Sequence, residues 1–390
     1  MNPDQNHPPA APQQALLAGR VFDGNRWRDD AAVLIRDGRV AGIARWSEVP
    51  SDWPEVRLHP GVMLAPGFID LQVNGGGGVL LNEQPTAEGM RAIARAHRRY
   101  GTTGCLPTLI TDTRDRMRTA IAAARSISGR DGILGLHLEG PFISPKRPGV
   151  HPVDRIAEAG ESDIELLSEL AETGASLVTL APECVPSGFI RKLASSGIRV
   201  SIGHSEASAD VVMRAVSDGA TGVTHLYNAM QPLSGRSPGI IGTALTETRL
   251  TAGLIVDGIH VDPVSIRLAF AAKHDAIALV TDAMPSVGSS LHRFDLLGRT
   301  ITLDNGRLAT VDGTLAGAHL DMASAVRNAV RLAQIPLENA LRAASLTPAR
   351  FLGLDRERGT LVAGARADLV ALNDDLTVAA TWIDGHRDVQ

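Results

Sequence analysis

Four titratable residues occupy matching places in the sequence. Glu139 ends the apolar run GILGLHLE, His204 ends RVSIGH, His225 lies late in GVTHLYN, and Asp282 ends IALVTD. Short apolar runs of this kind read as strands, so all four groups leave the carboxyl ends of strands. A single histidine in such a place is as readily a hydrogen-bonded core residue. Four converging groups are different, because burying them unpaired would be costly. Two imidazoles and a carboxylate make an open three-ligand site for Zn²⁺ or a similar divalent ion, with a position left for water. A neighbouring carboxylate that is not a ligand then supplies the proton acceptor and donor of metal-assisted hydrolysis.

Groups at strand ends need a scaffold that brings those ends together. Between residues 61 and 350 eight strand-like runs recur: VMLAPGFIDLQV, TGCLPTLI, ILGLHLE, ASLVTLAPE, IRVSIGH, TGVTHLYN, TAGLIVDGIH and AIALVTDAM. Segments between them, such as AEGMRAIARAHRRY and PVSIRLAFAAKH, carry helical periodicity. Strands alternating with helices predict a parallel β/α architecture, and eight of them predict a (β/α)₈ TIM barrel with its active site at the carboxyl ends. The glycine run Gly75 to Gly78 follows the first strand but lacks the spacing of a dinucleotide or phosphate loop. It reads as a tight loop near a ligand or a flexible one.

Outside the barrel the pattern changes. Residues 15–60 and 351–390 are short β segments, one of them holding Asp37-Gly38 between two apolar runs, a hairpin signal. Neither end has enough alternating strand to cover a face, so together they are expected to form one small β-sandwich beside the barrel of residues 61–350. Residues 1–14, with four prolines and little that is apolar, are expected to form a loose tail.

Composition excludes several classes. A net charge of −5 and 3% aromatic residues give no basic face or stacking platform for nucleic acid. No apolar run reaches membrane-spanning length and the start lacks a secretion signal, so a cytoplasmic protein without a membrane partner is expected. Cys105 and Cys184 make neither a metal spacing nor a disulfide framework, in keeping with a reducing compartment.

The blocks HLEGPF (137–142), GHS (203–205), THLYNAM (224–230), DGIHV (257–261), TDAM (281–284) and LAGA (315–318) resemble, in order, those of the N-acetylglucosamine-6-phosphate deacetylases of the amidohydrolase superfamily. APGFIDLQVNG (65–75) and ADLVAL (367–372) extend the resemblance from about Ala15 to the end. It implies a metal-dependent barrel that removes the acetyl group from an amino-sugar phosphate. Under that resemblance Glu139, His204 and His225 match metal ligands, Asp282 the catalytic acid and base, and His151 the group that polarises the substrate carbonyl. Asn228, the Ala229 backbone, Arg236 and His260 match groups that hold the sugar phosphate, with Val150 and Leu315 lining the sugar and acetyl pocket. In relatives the arginine crosses a dimer interface, so a homodimer is implied in which Arg236 reaches the neighbouring active site.

Where many amidohydrolases end strand 1 with His-x-His for a second metal, this sequence has Gln72 and Asn74. Neutral amides are poor ligands beside imidazole, so one metal ion per subunit, Zn²⁺, is expected; the amides could equally serve only the backbone of their loop. His137 points inward with Glu139 by strand alternation and reads as ligand support, as a spare ligand or as a core residue. His97, on an arginine-rich helix, reads as part of a solvated face, and His319 has no assignable role. Three rivals remain: the same reaction on N-acetylgalactosamine 6-phosphate, an amidohydrolase acting on a cyclic amide or dipeptide, and a non-catalytic scaffold that kept the barrel.

Overall fold

The computed structural model describes residues 13–388. Most of the Pro-rich segment expected to form a tail lies outside the described residues; Gln14 already belongs to a strand.

Eight strands, Phe68–Val73, Thr102–Ile110, His137–Glu139, Leu177–Leu180, Arg199–Ile202, Gly222–Val223, Thr251–Ile255 and Ile277–Val280, pair in sequence order and in parallel. The edges close on each other just past the eighth strand, where Val73 bridges Ala283 and the Asp282 N–H donates to the Gln72 carbonyl at 3.0 Å. The Thr281 hydroxyl donates to buried Asp70 at 2.5 Å across the same seam. The result is the TIM barrel, with almost every strand residue buried, as strands covered on both faces must be.

The helices around it are built from the expected periodic segments. In Ala87–Arg98, Met90, Ile93, Ala94 and His97 form the buried stripe, and the Thr86 hydroxyl caps the amino end by accepting from Gly89 N–H. His97 is therefore not on a solvated face. Its ring is fully buried, with Nε2 3.0 Å from the Gly75 carbonyl. The arginines of this helix flank the stripe, and the histidine at its carboxyl end holds the glycine loop.

The first apolar run divides at Gly67, whose α-carbon packs against Thr103 too closely for any side chain. Met63–Pro66 joins a second sheet; only Phe68–Val73 enters the barrel. That second sheet has eight strands drawn from both chain ends, with Gln14–Phe22 near its centre and Leu369–Leu372 paired to Met63–Pro66. It folds back on itself where Val40 N–H donates to the Ala365 carbonyl at 2.8 Å. An apolar cluster including Leu16, Val33, Leu64, Leu369 and Trp382 fills the fold. The hairpin turns at Asp37 and Gly38, both at positive φ (51° and 72°), as its sequence requires.

One element is not foreshadowed by the strand and helix periodicities. Between the eighth barrel strand and helix Met322–Arg331 lies a three-stranded antiparallel sheet, Arg293–Leu296, Arg299–Asp304 and Arg307–Ala309. Its apolar face (Leu296, Ile301, Leu308) packs on Leu80, Ile110, Val150 and Met284 at the barrel mouth. No helix among the described residues is long and apolar enough to cross a membrane.

Candidate active site

Three of the four residues singled out at strand ends lie two positions beyond their strands and in left-handed backbone: His204 (φ 48°), His225 (φ 30°) and Asp282 (φ 50°). For residues other than glycine this conformation costs about 1–3 kcal/mol. It turns the side chain back over the barrel mouth. Glu139 is the last residue of its three-residue strand and points inward directly.

The four meet. Glu139 Oε1 lies 3.0 Å from His225 Nε2 and 3.3 Å from His204 Nε2, and the two imidazole nitrogens are 3.1 Å apart. His204 Nδ1 is held at 2.8 Å by the Arg147 carbonyl, an acceptor that leaves the Nε2 lone pair aimed into the triangle. Three lone-pair donors facing one point at these spacings fit a divalent cation, whose ligands at ~2.1 Å sit about 3.4 Å apart in a tetrahedral site. His151 comes close as well: Glu139, His151 and His204 offer atoms all within 4.8 Å of one another. Its Nε2 faces the other carboxylate oxygen, Oε2, at the longer distance of 3.8 Å, while Nδ1 is 2.7 Å from the Thr111 hydroxyl.

Gln72 and Asn74 do more than serve their loop. Gln72 Nε2 donates to both oxygens of Glu139, each at 3.1 Å, and to Asp282 Oδ1 at 3.0 Å. Asn74 Nδ2 donates to the same Asp282 oxygen at 2.6 Å. Asp282 Oδ1 therefore carries two amide donors, and Oδ2 is left for other work.

Burial dominates the electrostatics. It pushes the Asp282 carboxyl up to about 6, helped by the charge of Glu139. It pushes the His151 imidazole down to about 3, with nearby His204 acting in the same direction. Burial would raise Glu139 too, but its close neighbours His204 and His225 together hold it well below the usual carboxylate range.

These residues line one cavity of about 390 Å³ at the carboxyl ends of the strands. Val150, Asn228, Ala229, His260 and Leu315 line it too, brought there by loops from different parts of the chain. His260 is fixed through Nδ1 by Asp257 Oδ2 at 2.6 Å. Arg236 is the exception: it is exposed on a turn closed by Ser234 and Ser237 and does not line the cavity of its own chain. His137 lies beneath the site with both ring nitrogens satisfied, by Thr179 at 2.8 Å and Thr108 at 3.2 Å, and so is core support. His319 is exposed, touches Ser286 at 2.9 Å and stands outside the cavity.

Sequence reasoning missed Thr111, Lys146, Arg147 and Met284. Lys146 and Arg147 sit in the cavity wall, and their segment PKRPGVHP, two cations in a Pro/Gly loop beside His151, was a usable signal. The role of Arg147 as a carbonyl acceptor left none, because any residue has a carbonyl.

A model of the amidohydrolase family matches residues 63–387. The chain belongs to the amidohydrolase family. Among curated relatives, the human N-acetylglucosamine-6-phosphate deacetylase is 41% identical over 390 residues, covering 95% of this chain and 92% of that protein. The N-acetylgalactosamine-6-phosphate deacetylase of Shewanella sp. (strain ANA-3) is 40% identical over 373 residues, covering 94% and 93%. The crystal structure of N-acetylglucosamine-6-phosphate deacetylase from Pasteurella multocida superposes with a TM-score of 0.93 at 33% identity, over 97% of this chain and all of that one (100%). In this amidohydrolase the carboxyl end of the first barrel strand presents the amides of Gln72 and Asn74 to Asp282.

Proposed function

We propose that this amidohydrolase removes the acetyl group of N-acetyl-D-glucosamine 6-phosphate, giving D-glucosamine 6-phosphate and acetate. The observation that carries the chemistry is the triangle of Glu139 Oε1, His204 Nε2 and His225 Nε2, 3.0 to 3.3 Å on a side, beside buried Asp282. Support for the substrate comes from relatives at 40 and 41% identity whose names specify N-acetylhexosamine 6-phosphates.

In this reading Glu139, His204 and His225 hold one divalent ion per subunit, Zn²⁺. Such an ion supplies Lewis acidity and lowers the pKa of water toward neutrality. Asp282 accepts the proton of the attacking water at Oδ2, the oxygen without amide donors, and later delivers it to the departing nitrogen. Without that proton the amine is a very poor leaving group. His151 donates from Nε2 to the acetamide oxygen as charge develops there. Val150 and Leu315 bound the sugar and acetyl groups. Asn228, the Ala229 backbone and His260 hold the sugar phosphate.

Arg236, exposed and outside its own cavity, completes the phosphate subsite of a partner subunit, so the working form is a homodimer. Its planar fork of donors suits phosphate oxygens. The enzyme is proposed to act in the cytoplasm. The chain divides into a barrel unit of 61–350, apart from Met63–Pro66, which pairs in the terminal sheet, and a terminal unit of 15–60 with 351–390; every site residue falls in the former.

The rival substrate has a specific support, the galacto-named relative at 40% identity. Acetate release from the two epimeric sugar phosphates, assayed side by side, decides between them. Higher kcat/KM on the gluco epimer is the expected result; preference for the galacto epimer would transfer the assignment. No release from either would overturn the deacetylase reading.

A further inference from the structure

We infer that Thr111 is a positioning residue that sets the tautomer of His151, so that Nε2 carries the hydrogen and faces the cavity. The inference rests on the proposed role of His151 as donor to the substrate carbonyl.

Thr111 follows the second barrel strand and is buried. Its oxygen lies 2.7 Å from His151 Nδ1 and 3.4 Å from the Glu139 carbonyl. A hydroxyl has one hydrogen and favours the shorter contact, which assigns the Thr111 hydrogen to Nδ1; the reverse, an Nδ1–H donating to Oγ1, would set a bare Nε2 lone pair against the Glu139 carboxylate. Nδ1 is then the acceptor, and in a neutral imidazole the hydrogen must sit on the other nitrogen. The opposite end of the ring agrees, since Nε2 faces the Glu139 carboxylate at 3.8 Å, which attracts a hydrogen and repels a lone pair.

The oxygen has little freedom to sit elsewhere. A β-carbon on Gly140 would collide with Thr111 Oγ1, so the chain makes room for this oxygen by having glycine, at φ 85°, directly after Glu139. The same geometry separates two roles for His151. As a metal ligand through Nε2 it would need hydrogen on Nδ1, with Thr111 accepting. As a carbonyl donor it needs the reverse. The shorter, better-fitted triangle of Glu139, His204 and His225 already provides three ligands.

The test uses the metal-loaded full-length enzyme labelled with ¹⁵N-histidine, with the His151 signals assigned by their loss in His151→Gln. In the wild type, a pyridine-type Nδ1 and a pyrrole-type Nε2 are expected at His151. Hydrogen on Nδ1 would overturn the inference without any variant being needed. Thr111→Val should shift His151 toward the Nδ1–H form. It should lower kcat about 10- to 100-fold, the usual scale for losing a ligand-orienting partner, with KM and metal content within about twofold. Thr111→Ser should restore both the tautomer and kcat. An unchanged tautomer or an unchanged kcat in Thr111→Val overturns the inference, as does failure of Thr111→Ser to rescue a folded enzyme. If instead His151→Gln keeps full kcat, the donor role of His151 fails, whatever the tautomer shows.

Discussion

At the scale of residues, the site is organised around one carboxylate with two unlike oxygens. Asp282 Oδ1 receives Gln72 and Asn74, and Oδ2 is left for the proton transfer proposed for this residue. Removing a donor from Oδ1 should loosen the carboxylate without touching ligand atoms. Asn74→Ala is expected to lower kcat roughly tenfold with KM and bound metal unchanged. Asp282→Asn, which cannot accept or return a proton, should also keep its metal but lose about 10²–10⁴ in kcat. Steady-state kinetics with metal analysis of each variant checks both. The residue types at this site are legible in the sequence: Glu139, His204, His225 and Asp282 share their places at strand ends, and the family resemblance points to His151 in PGVHP. What Gln72 and Asn74 touch is not legible. Strand position says which way a side chain points, but their partners arrive from strands 67 to 210 residues away in sequence. The burial of His97 is hidden for a related reason. Its arginine neighbours set the local polarity, yet the helical stripe of Met90, Ile93 and Ala94 sets its burial.

At the scale of elements, the loop over the cavity is tied down at several points. Ser144 N–H donates to the His204 carbonyl at 2.8 Å, Arg147 reaches Glu206 at 2.9 Å, and Arg155 reaches buried Asp112 at 2.7 Å. Farther along, Arg114 pairs through two nitrogens with Asp163, at 2.6 and 2.9 Å, at the start of helix Glu161–Ser168. Burial works to raise the Asp163 carboxyl, but Arg114 and the Gly160 N–H together hold it below the ordinary range. A pKa lower in the folded than in the unfolded chain means stability that is present at neutral pH and lost as pH falls through the folded value. Arg114→Ala should therefore lower Tm by a few degrees at pH 7, and the gap from wild type should narrow in acid. Thermal melts of both proteins across pH 7 to 3 check this. A gap that widens in acid would contradict it. The barrel strands and their helices can be read from periodicity. The Arg293–Ala309 sheet cannot, because its strands are short and its apolar residues few, and its place is set by packing on Val150 and Met284.

At the scale of the whole molecule, an anionic substrate must be recognised by a protein with a net charge of −5, so attraction has to be local. His260 lines the cavity, whereas Arg236 stands on an exposed turn away from it. If Arg236 serves a partner's cavity, two crippled chains can repair each other. Arg236→Ala and Asp282→Asn subunits, mixed and allowed to exchange, form heterodimers with one complete site, so about a quarter of wild-type activity should return. Activity no higher than the sum of the separate variants would contradict sharing. The measurement that bears most directly on the central claim is acetate release from N-acetyl-D-glucosamine 6-phosphate by metal-stripped protein as Zn²⁺ is titrated back. Activity should be lost on stripping, then rise and level off at one equivalent per chain. Undiminished acetate release from the stripped protein would contradict the account.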